Sequence, residues 1–227
     1  MICRIADLNI DVPEAGGMAP RCRTYLTDPS AAVDIVIPEE NYKLERWEGL
    51  SYEDSCYMES GYHFYARLLN FQGVMLHASA LSYNGKAYLF SGPSTVGKST
   101  HTRQWQKLFA GVQVFNDDKP AVRCTDGIWH AYGTPWCGKD GININMKAPL
   151  GGICFLKQAA ENRIRAVPPV EAFAMCLNQT QRFAKAENVD KHLKLLEQLV
   201  CTIPVWELEN YPGPEAARLA HDTLTRL

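Results

Sequence analysis

The sequence lacks several patterns that mark common protein classes. Its eight cysteines never lie closer than thirteen residues apart, so it has no Cys-x-x-Cys pair for zinc, iron–sulfur clusters or redox exchange. No apolar run approaches the roughly 18 residues that cross a bilayer, and the amino terminus has no sustained apolar stretch of the signal-peptide kind. A formal net charge of −2 gives no strong field to gather nucleic acid or anionic membrane. These absences predict a soluble cytoplasmic protein whose cysteines are reduced core residues, without nucleic-acid or membrane partners.

Internal repeats, low-complexity tracts and the GTPase patterns Asp-x-x-Gly and Asn-Lys-x-Asp are also absent. A chain of 227 residues is long enough for one main domain with a small companion. Short β-like pieces with Gly and Pro punctuation, followed by apolar residues at helical spacing from about residue 52, predict a small β-rich amino-terminal region with a lead-in helix over residues 1–70. The main domain is then expected over residues 71–227.

The stretch FSGPSTVGKSTHT, residues 90–102, contains the phosphate-loop pattern G-x-x-x-x-G-K-[ST]. In such a loop, backbone N–H groups and the start of the following helix hold phosphates, the lysine reaches the β and γ oxygens, and the serine hydroxyl ligates Mg²⁺. The predicted nucleotide-binding residues are Gly92, Ser94, Thr95, Val96, Gly97, Lys98, Ser99 and Thr100, with Ser99 also a metal ligand. The alternative is a glycine-rich turn with a solvated lysine.

The residues around this loop supply the context that the motif requires. Two β-prone runs, VMLHASALSY and KAYLFSG, flank Asn84-Gly85, which predicts a hairpin with a two-residue type I′ turn. Paired positions then sum to 169, which places His77 opposite Gly92. A helix follows the loop, and a strand over residues 112–115 leads into an acidic pair. With further helices predicted over residues 169–178, 187–201 and 214–225, the pattern indicates an α/β domain of mixed strand direction.

Asp117 and Asp118 follow that strand, where a phosphate site needs a carboxylate for Mg²⁺. Two adjacent acids allow a division of labour, with one near the metal and the other free to take a proton from an attacking hydroxyl; the alternative is a turn with solvated acids. His77 is either a strand histidine or a group that orients an acid or contacts phosphate.

Two other regions hold candidate functional residues. The loop GTPWCGKDG, residues 133–141, is either a mobile clamp or a surface loop that a buried Trp136 anchors. Arg103, Arg163 and Arg165 are candidate phosphate partners, although basic side chains are usually solvated.

The segments LHASALSYNGKAYLFSGPSTVGKST and VFNDDKPAV together resemble the carboxy-terminal catalytic domain of HPr kinase/phosphorylase, a bacterial serine kinase whose phosphate loop is related to that of phosphoenolpyruvate carboxykinase. In that family a histidine precedes the loop's first glycine by fifteen residues, as His77 precedes Gly92, and an Asp-Asp pair follows the next strand. The resemblance covers about residues 73–122 well and extends loosely to about 160. It implies a mixed sheet, with Asp117 as general base, Asp118 near Mg²⁺ and His77 assisting.

Thr100 stands where that family usually has a glutamate, and the family's dephosphorylation signature has no clear counterpart here. The leading hypothesis is therefore an ATP- and Mg²⁺-dependent kinase with Asp117, His77 and Lys98 as catalytic residues. Its acceptor is a hydroxyl of a peptide, a protein or a small molecule, and a homo-oligomer is expected from the resemblance. The alternatives are a nucleotide-sensing module without catalysis and an enzyme like phosphoenolpyruvate carboxykinase.

Overall fold

The hairpin around Asn84 and Gly85 forms in the computed structural model, which describes residues 1–211 and 213–226. Residues 78–83 pair antiparallel with residues 86–91, and every pair sums to 169, as the sequence predicts. Both turn residues have positive φ, 47° for Asn84 and 77° for Gly85, as a type I′ turn requires. The ladder ends one pair before His77 and Gly92, so both residues lie at the open end of the hairpin.

The described residues form a mixed α/β fold with a curled mixed sheet and a small amino-terminal sheet. The strands are β1 (Ile2–Ile5), β2 (Leu8–Asp11), β3 (Ile35–Val36), β4 (Gly73–Met75), β5 (Ala78–Tyr83), β6 (Lys86–Ser91), β7 (Gln113–Asn116), β8 (Ala121–Thr125), β9 (Ile128–Tyr132), β10 (Lys147–Gln158), β11 (Arg163–Ala166) and β12 (Val205–Asn210). The helices are α1 (Met18–Cys22), α2 (Tyr52–Leu68), α3 (Lys98–Leu108), α4 (Pro169–Asn178), α5 (Ala186–Thr202) and α6 (Pro214–Leu224).

The main sheet has the order β4-β8-β9-β10-β6-β5-β7, and β12 pairs with both β10 and β11. The long strand β10 joins its two parts, because residues 147–149 pair antiparallel with β9 while later residues pair parallel with β6 and β12. The mixed strand direction that the sequence predicts is therefore present. The predicted helix over residues 169–178 matches α4, and the two other carboxy-terminal helices match α5 and α6 within one residue at each end.

Strand direction brings the candidate site residues to one edge of the sheet. Strands β6 and β7 both pair antiparallel with β5, so their carboxyl ends lie at the same edge as the start of β5. The phosphate-loop sequence follows β6, the acidic pair follows β7, and His77 immediately precedes β5. The carboxyl end of β10 reaches this edge too, because β10 runs parallel to β6.

Helix α2 joins the amino-terminal sheet to the main sheet. It begins after Ser51, whose hydroxyl accepts a hydrogen bond from the Asp54 amide at 3.1 Å, as an N-cap residue does. Its buried face includes Phe64, Tyr65 and Leu68, which share a hydrophobic core with residues of β1 and β2. Fully buried Trp136 also belongs to this core and stacks on Phe64, with ring centroids 4.6 Å apart. Trp136 therefore anchors the loop of residues 133–141.

Six of the eight cysteines are buried, as predicted, and Cys124 on β8 is half-buried and packs against the core. The prediction is wrong for Cys201, which is exposed on α5. Among residues 1–211 and 213–226, no helix combines the length and the apolar character of a membrane-spanning helix.

Candidate active site

The phosphate-loop sequence forms a turn between β6 and α3. Gly92 begins this turn with a φ of 139°, and a Cβ there would lie 2.9 Å from the backbone oxygen of Leu156 on β10. Only glycine fits this conformation and this close approach. Helix α3 begins directly after Gly97, and in the described structure no side chain caps it. The amide groups of its first turn, which have no partner within a helix, therefore point toward the turn.

Lys98 lies over the loop with its side chain directed back toward the strand. Its ammonium donates hydrogen bonds to the carbonyl oxygens of Gly92 at 3.0 Å and of Pro93 at 3.2 Å. Only 8% of the residue is exposed, and this burial lowers the pKa of Lys98, against a smaller opposing effect of the Asp118 carboxylate. The carbonyl oxygens of Gly92 and Pro93 thus hold the Lys98 ammonium at the loop. Phosphate oxygens can replace them as hydrogen-bond acceptors.

Asn116, the last residue of β7, shapes the turn that presents the acidic pair. Its side-chain oxygen accepts hydrogen bonds from the amides of Asp118 at 3.0 Å and Lys119 at 2.8 Å. Its side-chain amide donates to the carbonyl oxygens of Thr134 and Trp136. Because Asn116 is fully buried, these bonds fix the turn to the loop of residues 133–141.

Asp118 is held between two basic side chains. Its Oδ1 lies 3.2 Å from Nε2 of His77, and its Oδ2 contacts the Lys119 ammonium. Burial alone would raise the pKa of Asp118, but the hydrogen bond with His77 and the charge of Lys119 lower it to about 2. On the other side of the imidazole, Nδ1 of His77 lies 3.2 Å from Oε1 of Gln179. Asp118 is therefore an ionised carboxylate in a fixed position.

The pKa of Asp117 shifts in the opposite direction to that of Asp118. Burial raises its pKa, although backbone hydrogen bonds oppose the effect. Its Oδ1 accepts from the Gly138 amide at 2.6 Å, and its Oδ2 accepts from the Asp140 amide at 3.1 Å. The two adjacent acids thus differ in the direction of their pKa shifts. Of the two, Asp117 has the stronger affinity for a proton.

One cavity of about 520 Å³ brings most of the predicted site residues together. We call it the donor cavity. The predicted residues that line it are His77, Ser94, Thr95, Gly97, Lys98, Ser99, Thr100, Asp117 and Asp118, together with residues 138–140. Gly92 and Val96 instead line an adjoining cavity of about 460 Å³, which shares Ser94 and Thr95 with the first. The three predicted arginines line neither: Arg103 pairs with Asp140 at 2.6 Å, and Arg163 and Arg165 pair with glutamates.

Several residues of the site were not predicted from the sequence. Lys119 and Asn116 flank the acidic pair in the segment NDDKP, and an asparagine before a proline-containing turn is a signal for this geometry. The amides of Gly138 and Asp140 come from the loop of residues 133–141, whose contact with Asp117 was not predicted. Gln179 gave no signal, because it contacts His77 across 102 residues of sequence.

The described residues include no group of three or more His, Cys, Asp or Glu side chains that could hold a metal ion by itself. Asp118 and Ser99 nevertheless line the same cavity and offer the oxygen ligands that Mg²⁺ prefers. Mg²⁺ in phosphoryl-transfer sites is usually held by one or two carboxylates plus substrate phosphates. These residues fit such an ion when a nucleotide supplies the remaining ligands.

Comparison with known proteins places the chain in a family. A family model described as SynChlorMet cassette protein ScmC matches residues 55–209. The chain belongs to this family. The match to the ScmC family includes His77, the phosphate-loop sequence and both aspartates.

A comparison with curated proteins found no match. Among solved structures, the HPr(Ser) kinase/phosphatase from Coxiella burnetii is similar, with a TM-score of 0.38 and 14% identity over 67% of this chain and 88% of that chain. The family that the sequence matches is ScmC.

In this ScmC-family chain, Asp118→Asn is expected to lower the free energy of unfolding at pH 7 by about 2 kcal/mol. A carboxyl with a folded-state pKa of about 2, against an ordinary value of 3.8, stabilises the fold above pH 3.8, and this contribution is lost as the pH falls through about 2. Urea unfolding between pH 7 and pH 2 measures the effect. Asp126→Asn, on an exposed hairpin turn, is the matched control. A wild-type advantage that stayed constant down to pH 2 would contradict the ion-pair assignment.

Proposed function

We propose that the chain is a kinase that transfers the γ-phosphoryl group of ATP to a hydroxyl of a peptide, a protein or a small molecule. The observation that carries the proposal is the content of the donor cavity. A phosphate-loop lysine, a fixed ionised carboxylate and a second carboxylate with a raised pKa line the same space. Titratable groups whose environments push their pKa values apart are typical of acid–base sites.

The donor nucleotide would lie across the phosphate loop. Its β- and γ-phosphates would occupy the donor cavity, where loop amides, the start of α3 and the Lys98 ammonium supply positive charge. The nucleoside would extend into the adjoining cavity of about 460 Å³, since Ser94 and Thr95 line both. Phe155, Leu156 and Met175 provide apolar surface there, which suits a base.

The Mg²⁺ ion would be held by the Ser99 hydroxyl and the Asp118 carboxylate, together with the phosphates. When bound, it neutralises phosphate charge during transfer. Asp118 keeps its negative charge for this role because His77 and Lys119 stabilise the ionised form. His77 in turn is fixed by Gln179. The histidine is therefore a positioning residue for the carboxylate.

Asp117 would act as the general base. The acceptor hydroxyl oxygen forms a bond to the γ-phosphorus, and the bond between that phosphorus and the β,γ-bridging oxygen breaks. The hydroxyl proton passes to the Asp117 carboxylate, and ADP leaves with the bridging oxygen. A raised pKa makes Asp117 a stronger base than an ordinary aspartate, while the amides of Gly138 and Asp140 hold its carboxylate in place.

Incubation of the full chain with γ-labelled ATP, Mg²⁺ and a serine/threonine peptide library tests the proposal. A kinase is expected to label peptides and to release ADP, and slow transfer to water is expected without peptide. A nucleotide-sensing module would bind ATP, measured by calorimetry, and consume none. ATP binding without any ADP release would therefore overturn the kinase proposal.

The two-part division at residue 70, a cytoplasmic location and homo-oligomer formation remain predictions from the sequence.

A further inference from the structure

A third cavity lies beside the acidic pair and has no role in nucleotide binding as proposed above. It measures about 560 Å³ and lies between helix α2 and residues 181–184. Six aromatic side chains contribute to its lining, and we call it the aromatic cavity: Trp47, Tyr57, Tyr62, Tyr65, Trp136 and Phe183. Such a lining favours a large apolar or aromatic group, because these side chains offer extensive apolar contact surface.

Charge in the aromatic cavity has one sign. Arg46, Lys119 and Arg182 line it, whereas the described residues that line it include no carboxylate. Arg46 lies over the Tyr62 ring, 5.1 Å from its centroid, and its ion pair with Glu59 involves a carboxylate that is fully buried outside the cavity. Arg182 is exposed. Because Arg46 and Lys119 pair with the carboxylates of Glu59 and Asp118, Arg182 on the rim is the cation that favours an occupant with negative charge.

The aromatic cavity adjoins the acidic pair through Lys119. Lys119 lines it, and the ammonium of this residue contacts the Asp118 carboxylate. Gln181 lines it as well, two residues after Gln179, which contacts His77. The aromatic cavity and the donor cavity nevertheless share no lining residue. A molecule that fills the aromatic cavity must therefore extend out of it to reach Asp117.

We propose that the aromatic cavity binds an acidic peptide segment of the phosphoryl acceptor, which inserts a large apolar or aromatic side chain as its anchor. The serine or threonine to be phosphorylated lies a short distance along the same chain, at Asp117. A peptide meets the geometric requirement because each extended residue spans about 3.3–3.6 Å, so anchor and hydroxyl occupy different cavities. This inference names the acceptor class of the proposed kinase and rests on that function.

The test uses synthetic peptides with one serine, two glutamates and a tryptophan placed about one to three residues from the serine on either side, a range that spans roughly 3–11 Å of extended chain. Each peptide has a partner in which alanine replaces the tryptophan. Fluorescence anisotropy of labelled peptides measures binding without nucleotide, and transfer from γ-labelled ATP measures turnover. The tryptophan peptide of the correct register is expected to have a KM at least about tenfold below that of its alanine partner, as loss of a buried aromatic anchor typically produces.

Two variants test whether the peptide binds in the aromatic cavity. Ala184→Trp fills the cavity from an exposed position on its rim and is expected to raise the Kd and KM of the tryptophan peptide about tenfold. Arg182→Glu reverses an exposed charge and is expected to raise the KM of the acidic peptide about fivefold at low salt. Ala110→Trp and Arg218→Glu, both at exposed positions outside the cavity, are matched controls and should leave both constants unchanged.

The outcomes separate this inference from the proposed function. If phosphoryl transfer to the peptides depends neither on the tryptophan anchor nor on the two variants, the aromatic cavity is not the acceptor site. The kinase proposal is unaffected by that result. Anchor-dependent binding that both variants weaken, without ATP consumption, supports the cavity and overturns the kinase. Transfer to a small aromatic alcohol in preference to every peptide overturns the peptide class.

Discussion

Asp117→Asn is expected to lower kcat by about 10²–10⁴-fold, the usual contribution of a positioned general base, while the Kd for MgATP stays within about threefold. The neutral amide cannot take the acceptor's proton, yet it occupies the same volume in the donor cavity. Asparagine can still accept one of the two hydrogen bonds that the amides of Gly138 and Asp140 donate to this side chain. Loss of the other bond is expected to cost about 1 kcal/mol of stability.

Single-turnover transfer with the peptides described above, alongside calorimetric titration with MgATP, measures the two effects separately. Asp126→Asn supplies the matched control, because it makes the same chemical change on an exposed turn. The wild-type pH profile provides a second readout. Because the base must be ionised and burial raises the pKa of Asp117, kcat/KM should begin to fall at a higher pH than an ordinary aspartate would produce. Turnover near the wild-type rate in Asp117→Asn would remove the proposed base.

Lys98→Met is expected to weaken MgATP binding by about 10–100-fold, because a hydrogen bond to a charged group contributes about 1.5–3 kcal/mol. The methionine side chain is one atom shorter than that of lysine, keeps most of its apolar packing and removes the ammonium. Without nucleotide, that ammonium is held by the Gly92 and Pro93 carbonyls. The variant should therefore remain folded, with the loop less firmly ordered.

Lys107→Met on the exposed face of the same helix removes an equal charge and controls for the general effect on α3. Calorimetry with MgATP and thermal unfolding with and without nucleotide measure both variants. Nucleotide should raise the melting temperatures of wild type and of Lys107→Met. It should raise the melting temperature of Lys98→Met far less. Equal stabilisation of all three would place the nucleotide elsewhere.

The parts of this site that sequence predicts are those that local chemistry dictates. The Asn84-Gly85 turn accepts only a narrow range of backbone conformations, so it fixes the register of the hairpin and the end at which His77 lies. Gly92 and Gly97 mark the loop, and the strand before Asp117 and Asp118 fixes where the acids appear. Strand direction then assembles these residues at one edge of the sheet.

The parts that sequence misses depend on tertiary contacts between distant segments. The imidazole of His77 contacts Asp118 through Nε2 and Gln179, in the connection between α4 and α5, through Nδ1. The pKa values of the two aspartates shift in different directions because burial raises that of Asp117, whereas His77 and Lys119 lower that of Asp118. The sequence does not show which of two adjacent identical residues will have these neighbours. The aromatic cavity likewise combines helix α2 with residues more than 100 positions away.

Strand β10 is expected to determine when the turn of residues 92–97 can form as the protein folds. Its pairing with β6 joins residues about 65 positions apart, and its pairing with β12 joins residues about 50 positions apart. Pairings of this range are slow, because a large loop must close before any contact is gained. Gly92 rests against β10, so the phosphate loop has no support until that strand docks. We expect the local hairpin of β5 and β6 to appear early in refolding, and protection by MgATP to develop only in the last phase.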